Sequence, residues 1–301
     1  MQNLTQKTGF IALVGRPNVG KSTLMNTLLG EKIAAVSRKP QTTRTSITGI
    51  LTKENCQYVF LDTPGVHKPR TKLGDMMMKS VGTATTDVCM VMLLVEPLAE
   101  IHPIERELMD KFGKMGVPVV LIINKTDIYT PADIIRTIDV FSKEYNFAAV
   151  IPLSGKTGEG VDIIFKEAEP FLEEAEWFFP SDMITDQPER TIAGEIIREK
   201  LLKLLDKEIP HGIAVVIEDF KESDKLIDIR AEIYCEKASH KKIIIGRDGA
   251  MLKRVGSFAR EDLETFFGVH VNINLWVKVK EKWRDSEMSL NNFGYNKKEL
   301  D

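Results

Sequence analysis

A glycine-rich segment near the start of the chain constrains its fold more than any other feature. It runs from Gly15 to Ser22 with the sequence GRPNVGKS and directly follows the apolar run Phe10–Val14. A buried strand that leads into such a loop and then into a helix is typical of a phosphate-binding loop, the P-loop. Its glycines let consecutive backbone N–H groups turn towards phosphate oxygens. Lys21 adds a positive charge beside those oxygens, and Ser22 offers its hydroxyl to a magnesium ion.

The rest of the first half alternates apolar runs with helix-like segments. The runs are Phe10–Val14, Tyr58–Leu61, Val88–Val95, Val117–Ile123 and Ala148–Leu153. This alternation predicts an α/β fold in which a mostly parallel sheet is covered by helices on both faces. Such sheets bind their ligands at the carboxyl ends of the strands. Three further motifs follow strands in this way, so we expect them to surround the P-loop.

The first of these motifs is Asp62–Gly65, with the sequence DTPG, which directly follows the strand Tyr58–Leu61. We expect Asp62 to hold magnesium through a water molecule, while the N–H of Gly65 faces a γ-phosphate. Asp, Pro and Gly also form ordinary turns. The position of the motif, one strand after a P-loop, favours the nucleotide-binding interpretation.

The other two motifs are expected to recognise the base. Asp127, in the segment Asn124–Asp127 (NKTD), can accept hydrogen bonds from N1–H and the 2-amino group of guanine. Adenine offers neither donor, and a buried carboxylate without a partner is costly, so ATP should be excluded. The segment Ser154–Lys156 (SGK) can place a backbone N–H near guanine O6. The residues expected to bind the nucleotide are Asn18, Val19, Gly20, Lys21, Ser22, Thr23, Asp62, Asn124, Lys125, Asp127, Ser154, Gly155 and Lys156.

In their order along the chain, GRPNVGKS, QTTR, DTPG, NKTD and SGK resemble the motif set of the Ras-like GTPase superfamily. The resemblance implies GTP and GDP as ligands and Mg²⁺ as cofactor. The implied magnesium ligands are Ser22, Thr43 and, through water, Asp62. Thr43 is favoured over the alternative Thr42 because related GTPases place this threonine directly before an arginine. The implied catalytic residues are Lys21, Thr43 and Gly65. Gly155 stands where alanine is commoner, which predicts looser loop packing without a change of base.

Two residues bear on the rate of hydrolysis. Val66 follows DTPG, where Ras-type enzymes carry the glutamine that orients the attacking water. Because an alkyl side chain cannot orient water, we expect slow intrinsic hydrolysis, on the order of 10⁻⁴ to 10⁻² s⁻¹, until a partner or ion completes the site. The resemblance also implies that Asn18 holds a potassium ion that stands in for an arginine finger. An asparagine tolerated at a tight turn is an equal alternative.

The composition changes after residue 172, where prolines, acidic residues and aromatic residues mix in a segment that we interpret as a linker. Its aromatic side chains, Trp177, Phe178 and Phe179, are expected to pack against a domain. The predicted organisation is a nucleotide-binding domain at 1–172, the linker at 173–190, a second domain at 191–285 and a flexible polar tail at 286–301. The second domain shows the pattern αββααβ: a helix Ile192–Leu205, strands Ile213–Glu218 and Leu226–Cys235, helices around 241–267 and a strand Val269–Val279.

The join of the two later helices contains Gly246–Gly249, with the sequence GRDG. A GxxG turn between helices lets a nucleic-acid backbone approach closely, while bases lie in the adjoining apolar groove. A helix C-cap and turn would also explain the glycines. The element order and a basic flank favour RNA binding and resemble a type II KH domain. The basic flank consists of Lys237, Lys241, Lys242, Arg247, Lys253 and Arg254. The implied RNA-binding residues are Lys241, Lys242, Ile245, Gly246, Arg247, Gly249 and Lys253. Asp248, in contrast, should repel a phosphate.

With the segments DTPGVHKPR, IIIGRDG and LWVKVKEKW, the two domains resemble the Era family of ribosome-associated GTPases over nearly the whole chain. The resemblance implies a factor in small ribosomal subunit maturation that binds small-subunit ribosomal RNA near its 3′ end. We also expect a switch: GTP holds Thr43 and Gly65, which orders the two loops that contain them (the switch loops), and their ordered surface sets how the linker places the second domain. We expect the protein to be a monomer.

Composition limits the alternatives. A net charge of −3 over 301 residues excludes a uniformly basic nucleic-acid coat. Cys56, Cys89 and Cys235 have neither a disulfide nor a zinc spacing, and no apolar stretch is long enough to span a membrane, so a cytoplasmic protein is expected. Weak contact of the basic flank with the inner face of the cell membrane is one alternative. A GTP-dependent RNA-modifying enzyme is another, but no cysteine has the setting of an activated nucleophile.

Overall fold

The computed structural model describes residues 5–206 and 209–295. They form two compact units. Unit 1 contains the residues up to Ile33, Thr43–Lys68 and Met77–Asp186, and unit 2 contains Ala34–Thr42, Pro69–Met76 and the chain from Gln187 onwards. Two short segments of the first half, 34–42 and 69–76, therefore group with the second unit, which their place in the sequence does not indicate.

Apart from the consecutive strands β2 and β3, helices and strands alternate along the chain up to Glu174. They are β1 (Lys7–Gly15), α1 (Lys21–Leu29), β2 (Ile47–Lys53), β3 (Cys56–Asp62), α2 (Lys72–Ala84), β4 (Met90–Val95), α3 (Pro103–Met115), β5 (Val119–Ile123), α4 (Pro131–Glu144), β6 (Ala149–Pro152), α5 (Ile163–Ala168) and β7 (Glu173–Glu174). The strands form one sheet in the order β2-β3-β1-β4-β5-β6, and β7 pairs with the start of β1. Neighbouring strands from β3 to β6 are parallel, which confirms the predicted mostly parallel sheet.

The core of unit 1 lies on the faces of this sheet. Every residue of β4 and β5 is buried, as expected for strands covered on both faces. On one face, Leu93 and Leu121 belong to a cluster that includes Phe112 of α3 and Phe141 of α4. Because these strands are parallel, their carboxyl ends meet at one edge of the sheet, and the motifs follow at that edge.

One strand, β2, has no counterpart among the predicted apolar runs. It pairs antiparallel with β3, from Ile47 opposite Asp62 to Lys53 opposite Cys56, at the edge of the sheet. Its burial is irregular, with buried and partly exposed positions mixed. An antiparallel strand needs only one covered face, so its sequence does not form a continuous apolar run.

The segment between β7 and residue 186 packs on unit 1. The Gln57 side chain exchanges two hydrogen bonds with the backbone of Phe179, at 2.8 and 3.0 Å. The Trp177 indole donates to the carbonyl oxygen of Asn55 at 3.3 Å, and the Phe178 ring lies 4.9 Å from that of Phe10. The prediction that the linker aromatics pack against a domain is confirmed for Trp177 and Phe178, whereas the contacts of Phe179 are made by its backbone.

Unit 2 has the predicted order αββααβ. Its elements are α6 (Glu189–Leu204), β8 (Ala214–Ser223), β9 (Leu226–Cys235), α7 (Ala238–Ile245), α8 (Ala250–Phe267) and β10 (His270–Val279). The central strand β9 pairs antiparallel with β8 and parallel with β10. Ile197 of α6, Ile229 of β9 and Leu263 of α8 are each fully buried in one apolar cluster, so these helices and the sheet share a single core.

The polar segment after residue 285 differs from the flexible tail that its composition predicts. It contains α9 (Glu287–Asn292), in which Leu290 is fully buried. The Phe293 ring lies 4.5 Å from that of Tyr234 and 5.4 Å from that of Trp283. The prediction was wrong for residues 286–295 because a few apolar side chains anchor an otherwise polar segment. Residues 296–301, also assigned to the tail, lie outside the described residues. None of the described helices is long and apolar enough to cross a membrane.

Candidate functional site

The P-loop joins β1 to α1 through glycines that its neighbours require. Gly20 precedes α1 with φ of +102°, and a Cβ atom there would lie 2.3 Å from Nδ2 of Asn124. A Cβ atom at Gly15 would lie 2.5 Å from the carbonyl oxygen of Leu94. Side chains are therefore excluded at both positions by close tertiary contacts, as well as by the approach of phosphate that the sequence predicts.

Lys21 is a buried cation without an anionic partner at hydrogen-bond distance among the described residues. Its Nζ donates to the carbonyl oxygens of Gly15 and Arg16, each at 3.1 Å. Burial lowers the pKa of Lys21 to about 8, and the charge of Asp62 opposes this shift. Phosphate oxygens placed beside this ammonium group would restore the charged form that burial disfavours.

Ser22, Thr43 and Asp62 form a buried cluster of oxygen atoms next to the P-loop. The Ser22 hydroxyl lies 2.8 Å from that of Thr43 and donates to Asp62 Oδ2 at 2.5 Å, and Thr43 donates to the same oxygen at 3.3 Å. The Thr42 hydroxyl instead donates to the carbonyl oxygen of Lys39 at 2.6 Å. The structure therefore places Thr43 in this cluster, and Thr42 outside it.

The same cluster fits a divalent cation. Asp62 is fully buried, and its Oδ1 has no hydrogen-bond partner among the described residues. Burial raises the pKa of Asp62 to about 6, against the opposing effects of Lys21, Ser22 and Thr43. A buried carboxylate with a free oxygen, beside two hydroxyl groups, is the donor set that Mg²⁺ prefers.

The DTPG segment lies directly on the P-loop. Val66 N–H donates to the carbonyl oxygen of Gly15 at 3.1 Å. A Cβ atom at Gly65 would lie 2.6 Å from Cα of Pro17, so only glycine allows this approach. The Val66 side chain packs against the apolar core of unit 1. It has no polar group that could orient a water molecule.

Asn124 connects three of the motifs. Its Nδ2 donates to the Val19 carbonyl oxygen of the P-loop at 2.8 Å, and its Oδ1 accepts from the backbone N–H groups of Lys125 and Gly155, also at 2.8 Å. Only 2% of Asn124 is exposed. In the structure the polar atoms of Asn124 bind protein backbone and hold the P-loop, NKTD and SGK together. Its contact with nucleotide stays a prediction.

The two base-recognition segments contact each other. Ser154 Oγ donates to Asp127 Oδ1 at 2.8 Å, which fixes one carboxylate oxygen. A Cβ atom at Gly155 would lie 3.2 Å from Cα of Leu24 in α1. The absence of a side chain lets this loop lie close to α1. Looser packing than with alanine at this position stays a prediction.

The remaining predicted residues surround the same edge of the sheet. Asn18 has φ of +66°, in the left-handed region, so both the potassium and the tight-turn interpretations stay open. Val19 is fully buried, Thr23 is partly buried and Lys156 is exposed.

Sequence reasoning missed two ion pairs at this edge. Arg16 Nε donates to Glu105 Oε1 at 2.7 Å, and Lys125 Nζ forms an ion pair with Glu96. Neither acidic residue lies in a nucleotide-binding motif. The available signal was the position of Glu96, directly after the buried strand β4.

The GxxG turn of unit 2 is open to solvent. Lys242, Arg247 and Lys253 are exposed, whereas Lys241 and Ile245 are partly buried. Gly246 ends α7 with φ of +76°, and a Cβ atom there would lie 2.8 Å from the backbone nitrogen of Met251. A Cβ atom at Gly249 would meet nothing within 4 Å, so a ligand backbone has free access to this side of the turn.

Comparison with known proteins identifies both units. Residues 10–125 match the family described as 50S ribosome-binding GTPase, and residues 208–284 match the KH domain family. The chain is 46% identical to GTPase Era of Ruminiclostridium cellulolyticum over 97% of this chain and 98% of that protein. It is 47% identical to GTPase Era of Clostridioides difficile, with 97% and 99% covered.

Solved structures give the same result. An Aquifex aeolicus Era variant bound to GDP and AlF4⁻ aligns with a TM-score of 0.92 at 36% identity, over 96% of this chain and 99% of that one. A structure of Era with MgGDPNP and nucleotides 1506–1542 of 16S ribosomal RNA aligns with a TM-score of 0.91 at 37% identity and the same coverage. On these similarities over nearly the full length, the chain belongs to the Era family of GTPases and hydrolyses GTP.

Proposed function

We propose that the protein is a GTP-operated switch that binds small-subunit ribosomal RNA near its 3′ end and assists maturation of the small ribosomal subunit. One observation carries the RNA part of this proposal: the exposed GxxG turn, with its basic flank, in a chain whose relative was solved with a fragment of 16S ribosomal RNA. The proposal places the protein in the cytoplasm as a monomer. Co-sedimentation with anionic liposomes tests the alternative of peripheral membrane contact.

The nucleotide site is proposed to hold GTP with Mg²⁺. Ser22 and Thr43 would bind the ion directly, and Asp62 would bind it through water. The bound ion would neutralise the charge that develops on the phosphate oxygens. Lys21 stabilises charge on the β- and γ-phosphates, and the N–H of Gly65 binds the γ-phosphate. The Asp127 carboxylate, fixed by Ser154, accepts hydrogen bonds from the guanine base.

Hydrolysis by this site alone is proposed to be slow. Val66 offers no group to orient water, and its side chain packs into the core. A potassium ion at Asn18 is proposed to supply the missing positive charge. Single-turnover hydrolysis without a partner should proceed on the order of 10⁻⁴ to 10⁻² s⁻¹, and many turnovers per second would contradict this.

The switch itself is proposed to act through the γ-phosphate. With GTP, Thr43 and Gly65 are both held at the nucleotide, and hydrolysis releases the two segments that contain them. Thermodynamic linkage then requires RNA to change GTP affinity, by roughly 5- to 150-fold for a coupling free energy of about 1–3 kcal/mol. If titration with RNA changes neither GTP affinity nor hydrolysis, the two activities are independent.

The RNA target is tested by ultraviolet crosslinking in cell extract with excess GTP or GDP, followed by sequencing of the attached RNA. We expect small-subunit ribosomal RNA near its 3′ end to be enriched, with an amount that depends on the nucleotide. Arg247→Glu should reduce the crosslinks strongly, because it reverses an exposed charge in the turn. The matched control is Lys225→Glu, which reverses an exposed charge at the hairpin between β8 and β9. Equal loss in both variants, or enrichment of unrelated RNA, would contradict the assignment.

A further inference from the structure

Two acidic residues, at the two ends of the connection from β4 to the first turn of α3, each bind a loop of the nucleotide site. Glu96 follows β4 and forms an ion pair with Lys125 of NKTD. Glu105, in the first turn of α3, binds Arg16 of the P-loop at 2.7 Å. We propose that this connection, residues 96–105, is a brace that positions both loops and slows the release of guanine nucleotide, with Glu96 and Glu105 as its positioning residues. The proposal rests on guanine nucleotide binding by this site.

We call each acidic residue with its cationic partner an arm of the brace. The Glu105 arm is rigid because both carboxylate oxygens of Glu105 accept hydrogen bonds. Only 1% of its side chain is exposed. Oε1 accepts from Arg16, and Oε2 accepts from the backbone N–H of His102 at 2.9 Å, while the His102 ring accepts from Ile104 N–H at 3.2 Å. These bonds form a capping box, so the position of the carboxylate is set by the start of α3.

This arm extends to the phosphate end of the site. The carbonyl oxygen of Arg16 accepts from Lys21 Nζ at 3.1 Å. A shift of Arg16 would therefore move one of the two carbonyl groups that orient the P-loop lysine. Loss of the buried Glu105 carboxylate would leave the guanidinium group of Arg16 without this partner.

The Glu96 arm holds the base-recognition end. Lys125 has φ of +67°, a left-handed conformation that costs free energy for any residue other than glycine. Its own N–H donates to Asn124 Oδ1 at 2.8 Å, and the N–H of Asn124 donates to the Val95 carbonyl oxygen at 2.9 Å. The end of β4 thus binds NKTD twice, through the backbone of Val95 and through the side chain of Glu96.

Tyr129, two residues after NKTD, is within the electrostatic reach of both arms. Burial raises the pKa of this phenol most, the charges of Glu96 and Asp133 raise it further, and Arg16 opposes them. One charged residue from each arm therefore affects the pKa of this partly buried side chain.

Neither acidic residue belongs to a motif that contacts nucleotide, so each acts through its cationic partner. A loop held in its binding conformation before the ligand arrives loses less entropy on binding, which slows dissociation.

Stopped-flow release of a fluorescent GDP analogue from the full chain with Mg²⁺ tests the brace. Glu96→Gln and Glu105→Gln should each accelerate release about 3- to 10-fold, the effect of losing one partly or fully buried ion pair. Glutamine at 105 retains an oxygen for the capping box, so α3 keeps its start. The control is Asp139→Asn, which removes the same charge from an ion pair with Lys143 on the outer face of α4, at 2.6 Å. Its release rate should match the unmodified protein.

Double-mutant cycles separate positioning from general destabilisation. Glu96→Gln should have less than about a 2-fold effect in a Lys125→Met background, and Glu105→Gln likewise in an Arg16→Gln background. Steady-state GTP hydrolysis adds a second signature: Glu96→Gln raises KM with kcat unchanged, whereas Glu105→Gln also lowers kcat through Lys21.

The brace is overturned by any of three outcomes: unchanged release in both variants, the same acceleration when the cationic partner is already absent, or an equal acceleration by Asp139→Asn. Absence of GDP binding by the unmodified chain would instead contradict the nucleotide site itself.

Discussion

The side chain of Asn124 offers the sharpest test of how the nucleotide site is held together. Asn124→Ala removes three hydrogen bonds of 2.8 Å, to Val19, Lys125 and Gly155. Two of them, to the Val19 carbonyl oxygen and the Gly155 N–H, are buried. The variant therefore leaves one acceptor and one donor without a partner in the interior.

The magnitude follows from those two groups. A buried polar group that loses its partner costs about 1–3 kcal/mol, so the expected loss is about 2–6 kcal/mol in the free energy of unfolding. Domains are typically stable by about 5–15 kcal/mol, so unit 1 should remain folded. The P-loop, NKTD and SGK would no longer be fixed relative to one another, and we expect GDP affinity to fall by at least about 10-fold.

Gln57→Ala is the matched control. Gln57 is fully buried in the same unit and also makes three side-chain hydrogen bonds, to Thr52 at 3.0 Å and to the backbone of Phe179 at 2.8 and 3.0 Å. The change should destabilise unit 1 to a similar extent. GDP affinity, measured with protein that remains folded, should stay within about 2-fold of the unmodified value.

Hydrogen exchange measured by mass spectrometry, on peptides that cover the fully buried strand β4, reports the stability of unit 1 separately from unit 2. Isothermal calorimetry gives GDP affinity for the same samples. Equal losses of GDP affinity in the two variants would show that Asn124 acts only through stability. An Asn124→Ala protein as stable as the parent would refute the accounting of its hydrogen bonds.

Three further predictions concern chemistry at separate places. Replacing potassium by sodium should slow GTP hydrolysis in the parent and leave Asn18→Ala unaffected; equal rates in the parent would remove the ion from the mechanism. Asp248→Lys should tighten RNA binding and steepen its salt dependence, by about 0.7 in the logarithmic slope for each added phosphate contact, as measured by fluorescence anisotropy; an unchanged slope counts against contact by the turn. Burial raises the pKa of Cys89 to about 11 from an ordinary 9.0, so at pH 8 its thiolate fraction, and its iodoacetamide alkylation rate, should be about 100-fold below that of an unfolded cysteine. The rate should rise about tenfold per pH unit until pH approaches 11; rapid labelling at pH 8 in the folded protein would contradict the burial of this thiol.

The residues of the candidate nucleotide site could largely be predicted from the sequence, because each of their motifs is a contiguous segment next to a strand. The segments that contain Lys21, Asp62 and Asp127 follow the carboxyl ends of parallel strands, as the sequence predicts. The binding of these residues to nucleotide stays a prediction. The order αββααβ of unit 2 could also be predicted, because the hydrophobic periodicity of long segments indicates their secondary structure. The sequence did not predict edge strand β2 and helix α9, because few apolar residues anchor each of them.

Contacts between residues that lie far apart in the sequence could not be predicted in this way. Glu105 meets Arg16 from 89 residues away, and Asn124 meets Val19 from 105. Nothing local marks an acidic or amide side chain as the partner of a distant loop. Close approach has the same character: the backbone of Pro17 requires glycine at position 65, which no spacing reveals.

The sequence by itself thus predicted which chemical groups would face a nucleotide, and it determined in what order the strands and helices occur. Only the tertiary structure decided how those groups are fixed, because that depends on side chains and backbones that packing brings together. Motif chemistry is a property of neighbours along the chain, whereas positioning is a property of neighbours in space.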